Sequence, residues 1–117
     1  MRYLLLIHDD EKIYPKMSQQ EMGKMMEGYG RFTEELRASG AFRDAARLRE
    51  VATATTVRVR DGKTLTTDGP FAETKEQLGG YYLIDVKDLD EAIKWAAKIP
   101  SARLGCVEVR PIWEQNQ

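Results

Sequence analysis

The chain has one cysteine, one histidine, no excess of either charge and no long apolar run, and each shortage excludes something. Cys106 has no second cysteine to pair with, so an intrachain disulfide framework is ruled out. With His8 as the sole histidine, the donor sets of ordinary zinc sites are missing, and neither a metal nor a cofactor is expected. The 18 basic and 19 acidic side chains leave a formal net charge of -1, which supplies no positive field to attract nucleic acid or anionic lipid. The longest purely apolar stretch, Leu4 to Ile7, is too short to span a bilayer or to serve as a signal-peptide core. A cytoplasmic location is therefore expected. What is present is a 117-residue chain, 42% hydrophobic and 9% aromatic, enough for one domain over residues 1–117 with one modest core. Any apolar face that such a core leaves bare needs a cover.

Tyr3 to Ile7 is apolar at every position, the pattern of a central strand. Ser18 followed by Glu21 fits a capping box, and Met22, Met25, Met26, Tyr29, Phe32, Thr33 and Leu36 then recur at helical spacing, with Gly40 placed to end the helix. This methionine-rich stripe reads as core, and the glycines at 23, 28 and 30 as points of close packing. Ala41 to Val51 has only a weak pattern, whereas Thr53 to Arg60 alternates and leads into Asp61-Gly62. A three-residue loop, Arg60 to Gly62, sets Leu65 opposite Val57 and matches the apolar faces; a two-residue turn sets Leu65 opposite Arg58. The first is expected. Tyr81 to Val86 is a further strand, Asp88 with Glu91 starts a second helix with the stripe Leu89, Ala92, Ile93, Ala96 and Ala97, and Pro100 stops it. Cys106 to Ile112 is the last strand, with Val107 and Val109 on one face and Cys106, Glu108 and Arg110 on the other.

This order predicts an α+β fold, a ferredoxin-like split βαβ arrangement with an antiparallel sheet. Two helices cover one face of such a sheet. Both Tyr3 to Ile7 and Tyr81 to Val86 carry large apolar side chains on both faces, so a second copy of the chain is the expected cover. Sheets packed face to face would bury Tyr81 and Leu83, or their alternates, around a polar cavity entered by Glu108 and Arg110. A lipid or other apolar ligand is the alternative cover.

The densest polar segment runs from Asp68 to Glu76, ahead of Gln77-Leu78-Gly79-Gly80. Asp68 and Glu73 have the chemistry of a general acid and base, His8 that of a second proton carrier, and Lys75 or Arg110 that of a cation for a developing anion. Phe71 and Glu76 complete the candidate ligand-binding set. A plainer reading makes Asp68-Gly69-Pro70 a turn, Phe71 a plug in the core and Glu73 to Glu76 an exposed helical turn. Cys106 reads as a small buried hydrophobe, and Arg43, Arg47, Arg49, Arg58 and Arg60 as a solvated edge.

The run DGPFAETKEQLGGYYLIDV, with MRYLLLI at the start, YGRFTEELRASG in the first helix and WAAKIPSARLGCVEVRPI at the end, resembles the DGPF-domain proteins of the YCII-related superfamily. The likeness spans nearly the whole chain. It implies a ferredoxin-like fold that dimerises into an α+β barrel, in bacterial cytoplasmic proteins. It also implies that the signature residues Asp68, Gly69, Pro70, Phe71, Glu73, Thr74, Lys75 and Glu76 matter together. Distant members resemble small-molecule lyases or isomerases of aromatic degradation, and some carry a His-Asp pair, for which His8 is the candidate histidine here. Two functions are thus expected to compete. One is a homodimer with a small-molecule cleft beside the Asp68 to Glu76 loop, catalysing proton transfer or elimination. The other is a non-catalytic sensor or interaction module tied to an extracytoplasmic-function sigma factor, since relatives are often encoded beside or fused to one.

Overall fold

The computed structural model describes residues 1–114. Strand β1 (Arg2–Asp9) leads through a 3-10 turn (Glu11–Lys16) to helix α1 (Gln19–Ala38) and strand β2 (Phe42–Arg47). A hairpin of β3 (Thr55–Arg60) and β4 (Lys63–Asp68) follows, then β5 (Gln77–Asp85), α2 (Leu89–Ala97), a short 3-10 turn (Pro100–Arg103) and β6 (Cys106–Pro111). Strands β2, β5, β1 and β6 form one sheet in that spatial order, and each neighbouring pair is antiparallel. Thus β1-α1-β2 and β5-α2-β6 are two interleaved split βαβ units, the ferredoxin-like arrangement expected.

The hairpin does not belong to that sheet. The second sheet strand is instead Phe42–Arg47, inside the segment whose pattern looked weak. A register shift between Phe42 and Asp44 inserts Arg43 as an extra residue and breaks the period of two by which strands are recognised. The hairpin turn also differs from expectation. Leu65 stands opposite Arg58 and Val57 opposite Thr66, with Asp61 at φ +52° and Gly62 at φ +75°. Two consecutive left-handed residues make the two-residue turn whose twist suits a hairpin, and aspartate tolerates that conformation. Matching of apolar faces has no force here because Val57, Val59 and Leu65 are all exposed.

Helix α1 begins with the expected reciprocal capping box between Ser18 and Glu21, and Gly40 follows its end at φ +83°. Its second half carries the core: Phe32 and Leu36 pack on Tyr3, Leu5, Ile7, Tyr82 and Ile84 of the sheet. Phe32 sits edge-on to both Tyr82 (5.0 Å between ring centroids) and Trp95 (6.0 Å). That contact rotates α2 relative to the expected stripe. Ala92, Trp95 and Ala96 are buried, while Leu89 and Ile93 face outward. Of the three helix glycines, Gly28 alone makes a close approach, since a Cβ there would stand 3.2 Å from the Pro100 ring.

Both helices lie on one face of the sheet. The molecule is accordingly thin, 48 × 47 × 19 Å, about one sheet and one helix layer deep. The opposite face carries Leu4, Leu6, Tyr81 and Leu83, half-buried, with His8, Cys106, Glu108 and Arg110 toward its β6 edge. Cys106 is exposed there rather than buried as expected, because an edge strand with no covering layer hides nothing on that side. No helix among the described residues is long and apolar enough to cross a membrane.

Replacing Leu5, which is fully buried, with alanine is expected to lower stability by about 2–5 kcal/mol through lost burial and a residual cavity. Ile93→Ala, on the outward side of α2, is expected to change it by no more than about 0.5 kcal/mol. Urea denaturation checks both, and equal losses would mean the helix faces the sheet by the stripe first expected.

Candidate functional site

Alternation along β1 puts Tyr3, Leu5 and Ile7 under the helices, and the next residue in phase is Asp9. It is only 4% exposed, a carboxylate where the pattern calls for a core side chain. The cover comes from the 3-10 turn that follows. Asp10 caps this turn by accepting from the Lys12 N–H at 3.0 Å, and the turn carries Tyr14 back over the strand end. The Tyr14 hydroxyl donates to Asp9 Oδ2. Burial, and then this bond to the carboxylate, push the Tyr14 phenol up to about 12.

Three more polar groups line the same space. Tyr29 on α1 and Ser101 in the turn after α2 share a hydrogen bond of 2.6 Å, and burial raises the Tyr29 phenol as well. The Tyr82 hydroxyl lies 2.8 Å from Thr33 Oγ1. Around them is a cavity of about 830 Å³ between the sheet, the Glu11–Lys16 turn and the first half of α1. Its apolar wall is Met22, Met25 and Met26, so this part of the methionine stripe faces a cavity rather than the core. Its floor includes Gly79 and Gly80 of β5. Gly80 is obligatory on steric grounds, since a Cβ would stand 2.7 Å from the Ala46 carbonyl oxygen of the neighbouring strand. A bulge between the Ile7 and His8 pairings, at Gly79, resets the register so that Gln77 pairs with Asp9.

The residues singled out from sequence lie elsewhere. Asp68 ends β4 and is exposed. The backbone beyond it turns at Gly69 (φ +95°), whose N–H donates to the Ala54 carbonyl at 2.7 Å and whose carbonyl accepts from Thr56 Oγ1 at 2.8 Å. Phe71 is 81% exposed in the chain and plugs no core, and Glu73 to Glu76 form no helical turn. Glu73 and Lys75 are exposed side chains. The loop is tied to the cavity at one end only: Gln77 lines it, donates to the Thr74 carbonyl at 2.6 Å and accepts from the Glu11 N–H at 3.0 Å.

On the opposite face of the sheet, His8 Nε2 lies 3.5 Å from Glu108 Oε1 without a hydrogen bond. Glu108 is bonded to Arg110 Nε at 3.0 Å, and that guanidinium, followed more weakly by His8, holds its carboxyl below the usual range. Glu76 approaches Cys106 Sγ at 3.8 Å. Partial desolvation by its neighbours and the Glu76 charge raise the Cys106 thiol, which disfavours the thiolate a nucleophile needs. His8, Glu108, Arg110, Cys106 and Glu76 therefore form one polar strip along β6, on the side of the sheet away from the cavity. Among the described residues no three His, Cys, Asp or Glu side chains are grouped to hold a metal ion.

Tyr14→Phe removes the hydroxyl that satisfies Asp9 and is expected to cost about 1–3 kcal/mol. A phenol raised from its ordinary value of 10.0 to about 12 on folding adds stability below pH 10 that is lost as pH climbs through about 12. Phenolate absorbance is expected to show a late-titrating tyrosine that disappears in Tyr14→Phe. An unchanged titration curve would contradict the buried pair.

The YCII-related domain family model matches residues 1–116. An uncharacterized protein of Rhizobium meliloti (strain 1021) is 39% identical over 114 residues, covering 96% of this chain and 92% of that one. Among solved structures, 5-chloro-2-hydroxyhydroquinone dehydrochlorinase (TftG) from Burkholderia phenoliruptrix AC1100, in complex with 2,5-dihydroxybenzoquinone, aligns over 99% of this chain and 97% of that one. The TM-score is 0.49 and the sequence identity 13%. With a family match that runs almost end to end, the chain belongs to the YCII-related family.

Proposed function

We propose that this chain binds a small organic molecule in the cavity beneath α1 and catalyses proton transfer or elimination on it, with Asp9 as the proton acceptor. The observation that carries this reading is a carboxylate 4% exposed on the wall of a cavity of about 830 Å³, held by a tyrosine hydroxyl and not by a cation. A buried carboxylate without a counter-charge is costly to keep, which marks Asp9 as a functional group, and a base shielded from water is more effective than one in bulk solvent. Asp9 takes a proton from an acidic C–H or O–H of the substrate. In an isomerisation it returns that proton to another atom; in an elimination the electron pair expels a leaving group. Tyr14 orients the carboxylate and Tyr29 and Tyr82 supply hydroxyls to the substrate's oxygens.

The working unit in this reading is a homodimer. Leu4, Leu6, Tyr81 and Leu83 make an apolar face that a molecule 19 Å thick leaves uncovered, and a second sheet packed on it is the economical cover. The His8, Glu108 and Arg110 strip would then be enclosed between the two sheets. Light scattering is expected to give twice the chain mass, and Leu83→Asp a folded monomer; a wild-type monomer at micromolar concentration would contradict it.

The catalytic reading is tested by solvent-deuterium exchange into a panel of enolisable ketones and hydroxylated aromatics, followed by proton NMR. Asp9→Asn is expected to slow exchange by about 100-fold or more, with Asp68→Asn close to wild type. The reverse result would move the base to the Asp68 to Glu76 loop.

A further inference from the structure

We infer that Arg47 makes the cavity selective for organic anions, holding the carboxylate of a ligand whose ring-sized apolar body lies against the methionine wall. The inference rests on the cavity reading above and adds the class of molecule.

Ala45 pairs with Tyr82 and Arg47 with Gly80, and cross-strand partners share a face. Tyr82 and Gly80 are both buried on the helix side, so Arg47 projects to that side too, and it lines the cavity. The same row of the sheet reads Ile7, Gly80, Arg47 across β1, β5 and β2. Gly80 contributes no side chain, so nothing on the floor stands between Arg47 and the β1 side of the cavity.

The charge balance of the lining then isolates Arg47. Asp9 is bonded to Tyr14. Glu11 accepts from the Val51 N–H at 3.2 Å. Arg49 and Glu50 pair with each other at 3.4 Å. Those are the other charged groups of the lining, and each has a partner. Arg47 is exposed, as the solvated-edge reading expects, and has no ion pair or side-chain hydrogen bond among the described residues, so its guanidinium is free to meet a ligand at the cavity edge. A guanidinium presents a planar fork suited to two parallel bonds from a carboxylate, which an ammonium does not.

Spacing sets the ligand's dimensions. Asp9 and Arg47 are two strands apart and two residues out of line, so their backbones lie about 12 Å from each other. With Arg47 exposed at the β2 edge of the cavity and the Asp9 carboxylate buried at the β1 side, there is room for a substituted ring between them. Met22, Met25 and Met26 offer polarisable thioethers to the face or edge of such a ring. The ligand class is therefore a small aromatic or similarly flat carboxylate, anchored at Arg47 with its reacting proton toward Asp9.

The test compares hydroxybenzoate with hydroxybenzamide, isosteres that differ in charge, by NMR titration of the intact protein at millimolar ligand. The acid is expected to bind about 10- to 100-fold tighter than the amide. Arg47→Gln is expected to abolish that preference by weakening the acid alone, Arg47→Lys to restore part of it, and Arg60→Ala on the hairpin to leave it intact. Equal binding of acid and amide at the cavity, or a preference that survives Arg47→Gln, overturns the inference while leaving the cavity reading standing. Binding confined to residues of the Asp68 to Glu76 loop, or no binding of either probe, overturns both.

Discussion

The two-residue period of β1 is the constraint on which the rest depends. It commits Tyr3, Leu5 and Ile7 to the space under the helices and, by the same phase, commits Asp9. Three of those positions build the core and the fourth brings a charge into it. The chain answers with the Glu11–Lys16 turn, which supplies the Tyr14 hydroxyl and closes the strand end. Helix α1 divides its labour along the same line. Phe32 and Leu36, in its second half, fill the space over the sheet centre, whereas Met22, Met25 and Met26, in its first half, stand off from the sheet. The cavity is the gap left where close packing stops.

The two faces of the sheet consequently have different chemistry. The helix face holds a buried carboxylate, hydroxyls and thioethers around an open-sided cavity, with an arginine at its β2 edge. The other face holds half-buried leucines and a tyrosine beside the ion-paired strip of Glu108 and Arg110. The first suits a small molecule and the second suits another sheet. A chain too small to build a second layer of its own leaves one face over, and in the proposed homodimer an identical copy supplies the missing layer.

Much of this was legible in the sequence where signals are local. The β1 run, the Ser18–Glu21 box, the Asp88 cap and the alternation of Val107 and Val109 each report on neighbours in the chain, and each stands in the structure as read. What failed depended on distant partners. The bulge at Arg43 hid β2, and the edge-on packing of Trp95 against Phe32 turned α2 away from its apparent stripe. Asp9 carries no local sign of burial, standing beside His8, Asp10 and Glu11. Its burial requires Tyr14 to fold back, and the cavity beyond it requires Ser101 from the far end of the chain. One signal was available, since continuing the phase of Tyr3, Leu5 and Ile7 lands on Asp9. The side chains of the DGPF segment, by contrast, stand in solvent in the single chain.

The most direct test of the account is therefore where a ligand lands. Methyl NMR of the methionine side chains reports on this, because Met22, Met25 and Met26 line the cavity while Met1 lies outside it. Titrating small aromatic acids should shift the three cavity methyls together, with the Met1 methyl and the Phe71 ring unmoved. Shifts at Phe71 and the His8 ring, with the three cavity methyls still, would contradict it.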